Sequence, residues 1–168
     1  HMIDLDFDGY AIGGLGLGEG PDKTYEICEN LNSILPKDKP RYSMGIGKPE
    51  DILESVARGV DIFDCVVPTR NARNGTVFTF NGKINIKNAE NSSKDEPLDD
   101  QCECKTCKNY SIGYIKHLYS CREISAIQLM TECNLNFYHK LIDNIRFSID
   151  NGTFMEYKKF FLERYLNE

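Results

Sequence analysis

Strand-like and helix-like segments alternate over the first 75 residues, and this alternation restricts the possible folds more than any other feature of the chain. Residues 3–12, 41–44 and 62–67 are predicted strands, because each is a short segment followed by glycine or proline, and the first and third are apolar or alternate with polar residues. Between them, segments that begin at Pro21 and Pro49 carry apolar residues at helical spacing. Strand, helix, strand, helix, strand predicts a parallel sheet in an α/β fold.

The third predicted strand contains a carboxylate. Residues 62–67 are β-branched and aromatic and stop at Pro68, which predicts a buried strand, and Asp64 lies inside it. A carboxylate is costly to bury unless it is paired, hydrogen-bonded or placed at a ligand-facing end. Asp64 is therefore either a structural residue that bonds to loop amides or part of a basic pocket with Arg70 and Arg73, which follow in a predicted loop.

The pattern changes after Gly75. Residues 76–86 alternate around Asn81-Gly82, the dipeptide that most strongly predicts a β-hairpin. Residues 87–101 are polar and are predicted to be irregular. From residue 110 to 165, three helical segments are predicted, with breaks near Ser120-Cys121 and at Asn151-Gly152.

Cys102, Cys104 and Cys107 have C-x-C-x-x-C spacing, which lets one loop wrap three thiolates around a tetrahedral ion and leaves one position for a distant ligand. The seven cysteines of the chain are an odd number, and three of them lie within six residues. This pattern favours metal binding in a reducing compartment over a disulfide framework. We expect one structural Zn²⁺ per chain, since four protein ligands leave no position open for a catalytic water.

Composition adds few restrictions. No apolar run approaches the roughly 20 residues that a membrane helix needs, and no secretory signal is present, so we expect a cytoplasmic protein without a membrane partner. The net charge of −6 argues against a diffuse surface for polyanions. A local cluster of arginine and lysine could still bind a nucleic acid.

Four segments, in their order and spacing, resemble the C-terminal half of a bacterial-type tRNA-guanine transglycosylase. They are residues 8–15 (DGYAIGGL), 42–51 (YSMGIGKPED), 63–75 (FDCVVPTRNARNG) and 102–107 (CECKTC). The resemblance covers nearly the whole chain and implies the last three strands of a TIM (β/α)8 barrel with an inserted zinc-binding subdomain. It divides the chain into residues 1–75, the partial barrel; 76–135, the hairpin and zinc-binding subdomain; and 136–168, C-terminal helices that pack on the barrel.

The resemblance also implies a reaction. Such enzymes exchange guanine at the tRNA wobble position for a 7-deazaguanine, the prequeuosine base, in queuosine biosynthesis. Asp64 matches the nucleophile that forms a covalent ribosyl intermediate, and Asp61 is the competing candidate, although it precedes the apolar run, where a barrel strand begins. Leu17 matches a position that is a branched aliphatic residue in the bacterial enzymes and glycine in those that accept queuine.

Further site residues follow from the same resemblance. Gly14 and Leu15 match the segment whose backbone reads the base, and Met44 matches a residue that stacks near it. Two segments match loops that contact tRNA: Gly45, Ile46, Gly47, Lys48, Pro49, Glu50 and Asp51 in the first, and Thr69, Arg70, Asn71, Ala72 and Arg73 in the second.

The fourth zinc ligand departs from the family pattern. In the family it is a histidine within a segment that matches residues 130–134, whereas this chain has Cys133 at that position. Thiolate is also a good zinc ligand, so the expected set is Cys102, Cys104, Cys107 and Cys133. His117 is the alternative fourth ligand.

The resemblance leaves two functions open. The general acid/base and the base-recognising aspartates belong to the family's N-terminal half, and three barrel strands would have unpaired edges. The chain is therefore expected to be inactive alone and to need an N-terminal half chain or self-association, for which Tyr110, Tyr114 and His117 match a homodimer segment. The first function is base exchange on tRNA with a GUN anticodon. The second is a non-catalytic, zinc-stabilised tRNA-binding or assembly module.

Overall fold

The structure, a computed structural model, describes residues 1–15, 18 and 20–166. The chain forms two compact units, His1–Val66 and Val67–Glu168. Its mixed helices and strands confirm the predicted α/β class. No helix in these described ranges has the length and apolar character needed to cross a membrane.

The first unit contains a parallel sheet and two helices. After a 3₁₀ turn at Ile3–Leu5, its elements are β1 (Tyr10–Ile12), α1 (Pro21–Ile34), β2 (Arg41–Met44), α2 (Pro49–Ala57) and β3 (Ile62–Asp64). Both helices begin with proline, which suits the first helical turn because its N–H would have no helical partner there.

The sheet has the strand order β1-β2-β3, and both pairings are parallel, as the alternating pattern predicts. Tyr10 lies opposite Arg41, and Met44 lies opposite Asp64. The core beneath the sheet contains Ile12, Leu15, Cys28, Ile46 and Val60. The carboxyl ends of the three strands consequently meet at one edge of the sheet.

Two strand predictions in this unit need correction. Residues 3–9 are not part of a strand: Ile3–Leu5 form a short 3₁₀ turn that Asp6 ends in the left-handed conformation, with φ of 53°, and β1 begins only at Tyr10. β3 ends at Asp64 and is not buried: Ile62 is 49% exposed. Within the described residues, β3 pairs with β2 along one side only, which leaves its other edge open.

The second unit contains a hairpin and five helices. Its elements are α3 (Val67–Arg73), β4 (Thr76–Thr79), β5 (Gly82–Asn85), a 3₁₀ segment (Ala89–Ser93), α4 (Lys105–Asn109), α5 (Ile112–Ser120), α6 (Ile124–Asp150) and α7 (Phe154–Leu166). The three predicted C-terminal helices are confirmed as α5, α6 and α7, with breaks at the predicted positions. The short helix α4 was not predicted.

The predicted hairpin is confirmed, but its turn lies one residue earlier than expected. β4 and β5 pair antiparallel with Thr79 opposite Gly82, so Phe80 and Asn81 form the connection. The Thr79 hydroxyl accepts a hydrogen bond from the Asn81 amide at 3.1 Å and donates one to the Gly82 carbonyl at 2.9 Å. These two bonds fix the turn at this register.

Asn134, fully buried on α6, joins three segments of the second unit. Its Oδ1 accepts a hydrogen bond from the Phe78 amide at 2.9 Å. Its Nδ2 donates to the carbonyls of Pro68 at 2.9 Å and Thr76 at 3.1 Å. One side chain therefore ties the start of α3 and strand β4 to the longest helix of the chain.

Candidate functional site

Asp64 ends β3 with its side chain exposed. Its Oδ1 accepts hydrogen bonds from the Tyr42 hydroxyl at 2.6 Å and the Gly45 amide at 3.3 Å. The Gly45 amide also donates to the Asp64 backbone carbonyl at 3.0 Å. In the described part of the chain, no hydrogen bond reaches Oδ2. The two bonds to Oδ1 fix the orientation of the carboxylate, and Oδ2 remains accessible to a ligand.

The Tyr42 hydroxyl donates the hydrogen bond to Asp64 and stays protonated while it does so. Its hydrogen bond to Asp64 raises the pKa of the phenol, and partial desolvation and the negative charge of Asp64 raise it further. The phenol therefore keeps its proton at neutral pH. A protonated Tyr42 can hold Asp64 in one orientation without competing for a proton.

Asp61, the competing candidate, lies at the other end of β3. Its Oδ2 accepts a hydrogen bond from the Arg41 amide at 2.9 Å, and its own amide donates to the Arg41 carbonyl at 2.9 Å. The carboxylate of Asp61 thus joins the two chain segments where the β2–β3 pairing begins. This contact gives Asp61 a structural role at the amino end of the strand.

The expected base-binding residues lie along the same sheet edge as Asp64. Met44 is opposite Asp64 and 43% exposed, and a Cβ on Gly13 would lie 3.9 Å from its sulfur. Gly14 has φ of 77°, a conformation that favours glycine, and nothing lies within 4 Å of where its Cβ would be. The Leu15 side chain is in the core, 5% exposed, so only its backbone can face a ligand. Leu17 lies outside the described residues.

The first expected RNA-binding segment is only partly accessible. Ile46, Gly47 and Pro49 are buried, and the last of these begins α2, so the predicted loop ends there. Asp51, also in α2, accepts a hydrogen bond from the Tyr25 hydroxyl at 2.6 Å. Burial and this bond raise the Tyr25 pKa. Gly45 and Lys48 are exposed, and Lys48 supplies the segment's only positive charge.

The second expected RNA-binding segment is helical, which corrects the predicted loop. Thr69 to Arg73 lie in α3, since Pro68 fits the first turn of a helix. Arg70 and Arg73 are exposed and three residues apart, hence on one helical face. Ala72 is fully buried in the core of the second unit. Asn71 donates from its side chain to the Val67 carbonyl at 2.9 Å.

The four expected metal ligands are brought together in the second unit. The sulfurs of Cys102, Cys104, Cys107 and Cys133 lie within 4.8 Å of one another, and those of Cys107 and Cys133 are 3.6 Å apart. The Cys104 sulfur also accepts a hydrogen bond from the Cys107 amide at 3.4 Å, at the start of α4. Four convergent thiols fit a tetrahedral ion of the zinc type.

Neighbouring groups favour the thiolate form of two of these ligands. Hydrogen bonding, chiefly from Cys133, lowers the pKa of Cys104 to about 5 and also lowers that of Cys102. The thiol of Cys133, which donates these bonds, has a raised pKa. His117, the alternative ligand, lies outside this cluster, and its Nε2 is 3.8 Å from the Cys121 sulfur.

Fold and site together define an α/β protein with a carboxylate at the carboxyl end of a parallel strand and a four-cysteine centre suited to a metal. Residues 1–167 match the family model described as queuine tRNA-ribosyltransferase. The chain belongs to this family, and the resemblance seen in its sequence is confirmed.

Curated relatives that carry the name queuine tRNA-ribosyltransferase match this chain, among them those of three organisms. That of Caldanaerobacter subterraneus subsp. tengcongensis is 52% identical over 165 residues, which cover 98% of this chain and 44% of the relative. That of Shewanella sediminis is 53% identical over 152 residues, which cover 90% of this chain and 40% of the relative. That of Dehalococcoides mccartyi strain CBDB1 is 50% identical over 165 residues, which cover 98% of this chain and 42% of the relative. The chain therefore spans less than half the length of these relatives.

Proposed function

We propose that this chain supplies the nucleophile of a tRNA-guanine transglycosylase in queuosine biosynthesis. The enzyme exchanges guanine at the wobble position of tRNA with a GUN anticodon for the prequeuosine base. The observation that carries this proposal is the state of Asp64, which is exposed at the carboxyl end of β3 and held through one oxygen by Tyr42 and Gly45. Its second oxygen is available for attack.

In the first step, Oδ2 of Asp64 attacks C1′ of the wobble nucleoside. The bond from C1′ to the base nitrogen breaks, and guanine leaves with the electron pair. It takes a proton from a general acid, which we assign to the N-terminal part of the enzyme that this chain does not match. A covalent ribosyl ester forms. The incoming deazaguanine then attacks C1′ through its ring nitrogen from the opposite face and gives the proton of that nitrogen to the same residue, now acting as a base. This attack releases Asp64 and restores the configuration.

Tyr42 and Gly45 position the nucleophile during both steps. Their hydrogen bonds hold Oδ1 and thereby fix the rotation of the carboxylate. The same two donors stabilise the charge that returns to Asp64 when the ester is resolved. Met44, exposed opposite Asp64, offers an apolar surface on which the base can rest.

We assign tRNA binding to the accessible residues of the two matched segments. Arg70 and Arg73 present two guanidinium groups on one face of α3, a group that binds phosphate and base edges in a bidentate manner. Gly45 and Lys48 are the exposed residues of the first segment. The buried Ile46, Pro49 and Ala72 support the backbone on which these contacts depend.

Zinc is the metal that we propose for the four-cysteine cluster. Cys102, Cys104, Cys107 and Cys133 would hold it, and it would stabilise the fold of the zinc-binding subdomain. Thr106 supports this loop, since its hydroxyl contacts the Leu129 carbonyl at 3.1 Å and a Glu132 carboxylate oxygen at 2.8 Å.

We further propose that the three parallel strands are the last three of a TIM barrel and that the chain divides into residues 1–75, 76–135 and 136–168. Base exchange then requires the part of the full-length enzyme that this chain does not match. We also propose self-association through Tyr110 and Tyr114, whose rings stack at 5.4 Å and are 39% and 46% exposed beside a groove of about 540 Å³.

One observation favours the alternative of a non-catalytic tRNA-binding or assembly module. The cysteine cluster and both α3 arginines belong to the compact unit Val67–Glu168, whereas Asp64 belongs to the other unit. A zinc-stabilised unit with its own arginines could bind tRNA without any nucleophile.

An exchange assay separates the two functions. This chain would be joined to the portion of the Caldanaerobacter relative that it does not match, and incorporation of labelled guanine into tRNA would be measured; we call this protein the completed enzyme. We expect incorporation by the completed enzyme and by its Asp61→Asn variant, and none by Asp64→Asn. Binding of tRNA without incorporation by the unsubstituted protein would favour the module.

A further inference from the structure

We propose that Asn136 is a positioning residue for the metal centre: its side-chain amide holds the sulfur of Cys102 and thereby slows the loss of the metal. Cys102 is the ligand that leaves the metal first. This inference rests on the zinc proposed above for the four-cysteine cluster. It goes beyond that proposal, because it assigns a role to a residue that does not itself bind the metal.

Cys102 is the most accessible of the four ligands. Cys104, Cys107 and Cys133 are buried, whereas Cys102 is partly exposed. The Cys102 side chain also lines a cavity of about 230 Å³, and Asn136 lines the same cavity. The sulfur of Cys102 is therefore the one that a chelator meets first when it approaches the cluster.

Cys102 also lacks the support that helices give to the other ligands. Cys104 is the N-cap of α4, Cys107 lies within α4, and Cys133 lies within α6. Cys102 precedes α4, outside any helix or strand, and its backbone amide donates to the Asp99 carbonyl at 3.2 Å. The position of the Cys102 side chain consequently depends on the groups that touch its sulfur.

Asn136 supplies such a contact. It lies three residues after Cys133 on α6, so the two side chains leave neighbouring positions of the helix surface. The Cys102 thiol donates a hydrogen bond to Oδ1 of Asn136 at 3.2 Å. Among the described residues, the exposed Asn136 side chain has no other hydrogen-bond partner. Helix α6 thus provides one ligand and also the group that holds another.

An amide can hold the Cys102 sulfur both with and without the metal. A carboxamide contains an acceptor and a donor, whereas a cysteine that binds a metal does so as the thiolate and can only accept. Half a turn about the Cβ–Cγ bond of Asn136 brings Nδ2 to the place of Oδ1, where it can donate to the sulfur. The Cys107 amide already donates to the Cys104 sulfur at 3.4 Å. Such donors orient the ligand and reduce its negative charge.

The fourth cysteine increases the value of these donors. Four thiolates around a divalent ion leave one more negative charge than three thiolates and a neutral histidine do. This chain has Cys133 where the family pattern has histidine. Hydrogen bonds to the ligand sulfurs therefore contribute more to metal retention here than in a site that contains a histidine.

The test measures how fast the zinc-loaded chain loses its metal to an excess of the coloured chelator pyridylazoresorcinol. Asn136→Leu removes both the donor and the acceptor, and we expect zinc loss to be about tenfold faster, as is usual for groups that support metal ligands. Asn136→Asp should lose zinc faster still, because a carboxylate cannot donate and repels the thiolate. The matched control is Gln128→Leu, which replaces another exposed amide of α6 and should lose zinc at the unsubstituted rate.

Cobalt distinguishes a positioning residue from a ligand or from a residue needed for folding. In the Co²⁺-loaded chain, the visible absorption of tetrahedral cobalt and the sulfur-to-cobalt charge-transfer band should be as intense in Asn136→Leu as in the unsubstituted chain. The variant should also keep the helical signal, since leucine forms helices better than asparagine. A weaker charge-transfer band in the cobalt-saturated variant would overturn the positioning role, because it would mean that a ligand has been lost.

Alkylation identifies the ligand that leaves first. After the zinc-loaded chain is treated with iodoacetamide and digested, mass spectrometry should find Cys102 modified before the other three ligands, and sooner in Asn136→Leu. Cys121 is exposed and lies outside the cluster, so it gives the reference rate. Modification of Cys104 or Cys107 before Cys102 would overturn the assigned order.

The outcomes separate this proposal from the proposed function. Equal rates of zinc loss in Asn136→Leu and Gln128→Leu would overturn the role of Asn136 and leave the zinc assignment in place. An unsubstituted chain that binds no zinc would overturn both. The measurements do not use base exchange, so the role of Asn136 is decided independently of the exchange assay.

Discussion

Replacing Asn134 should strongly destabilise the second unit. The Phe78 amide and the Pro68 carbonyl both lose a buried partner, and the Thr76 carbonyl loses a partly buried one. A buried polar group left without a partner costs about 1–3 kcal/mol, so Asn134→Ala should lower the free energy of unfolding by about 3 kcal/mol. Asn134→Asp should cost more, because a carboxylate oxygen would then face two carbonyl oxygens.

Urea unfolding followed by the far-ultraviolet helical signal measures this loss. With a slope of about 1–3 kcal/mol per molar urea, the midpoint should fall by about 1–3 M. Gln128→Ala is the matched control, since it removes an exposed amide from the same helix and should leave the midpoint nearly unchanged. Free energies of unfolding for Asn134→Ala and Gln128→Ala that agree within about 0.5 kcal/mol would refute the assigned role of the three hydrogen bonds.

Three further outcomes are expected. Metal analysis should find one zinc per chain, lost in Cys133→Ala and kept in His117→Ala, and full zinc retention by Cys133→Ala would reject the all-cysteine site. In light scattering at micromolar protein, Tyr110→Ala/Tyr114→Ala should shift the chain from an associated form towards the monomer; an unsubstituted chain that is monomeric at every concentration would contradict the association. The completed enzyme should incorporate the prequeuosine base and not queuine, because Leu17 stands where queuine-accepting enzymes have glycine and the larger side chain is expected to fill the space that queuine needs. Equal incorporation of both bases would exclude this specificity.

Local patterns predicted much of the fold. The prolines at the starts of α1 and α2, the alternation of the hairpin and the Asn151-Gly152 break before α7 each act within a few residues, so the sequence alone reveals them. The thiol cluster was also predicted, although its fourth member lies 26 residues beyond the third, because the family resemblance supplied that distance.

The errors arise where contacts override local pattern. Residues 69–73 contain polar side chains typical of a loop, yet they are helical because Pro68 fits the first turn of α3 and Ala72 packs in the core. Residues 3–9 alternate like a strand, but Asp6 turns the chain before any pairing begins. The role of Asn134 depends on partners that lie 56 to 66 residues away along the chain, and such distant contacts have no sequence signal.

Covalent capture of tRNA by the completed enzyme tests the role of Asp64 most directly. After denaturation and digestion, mass spectrometry would locate the ribosyl adduct within the protein. We expect it on Asp64, unchanged in Asp61→Asn and absent in Asp64→Asn, while the Asp64→Asn variant still binds tRNA with nearly normal affinity. An adduct that persists in Asp64→Asn, or that maps to another residue, would contradict the assignment.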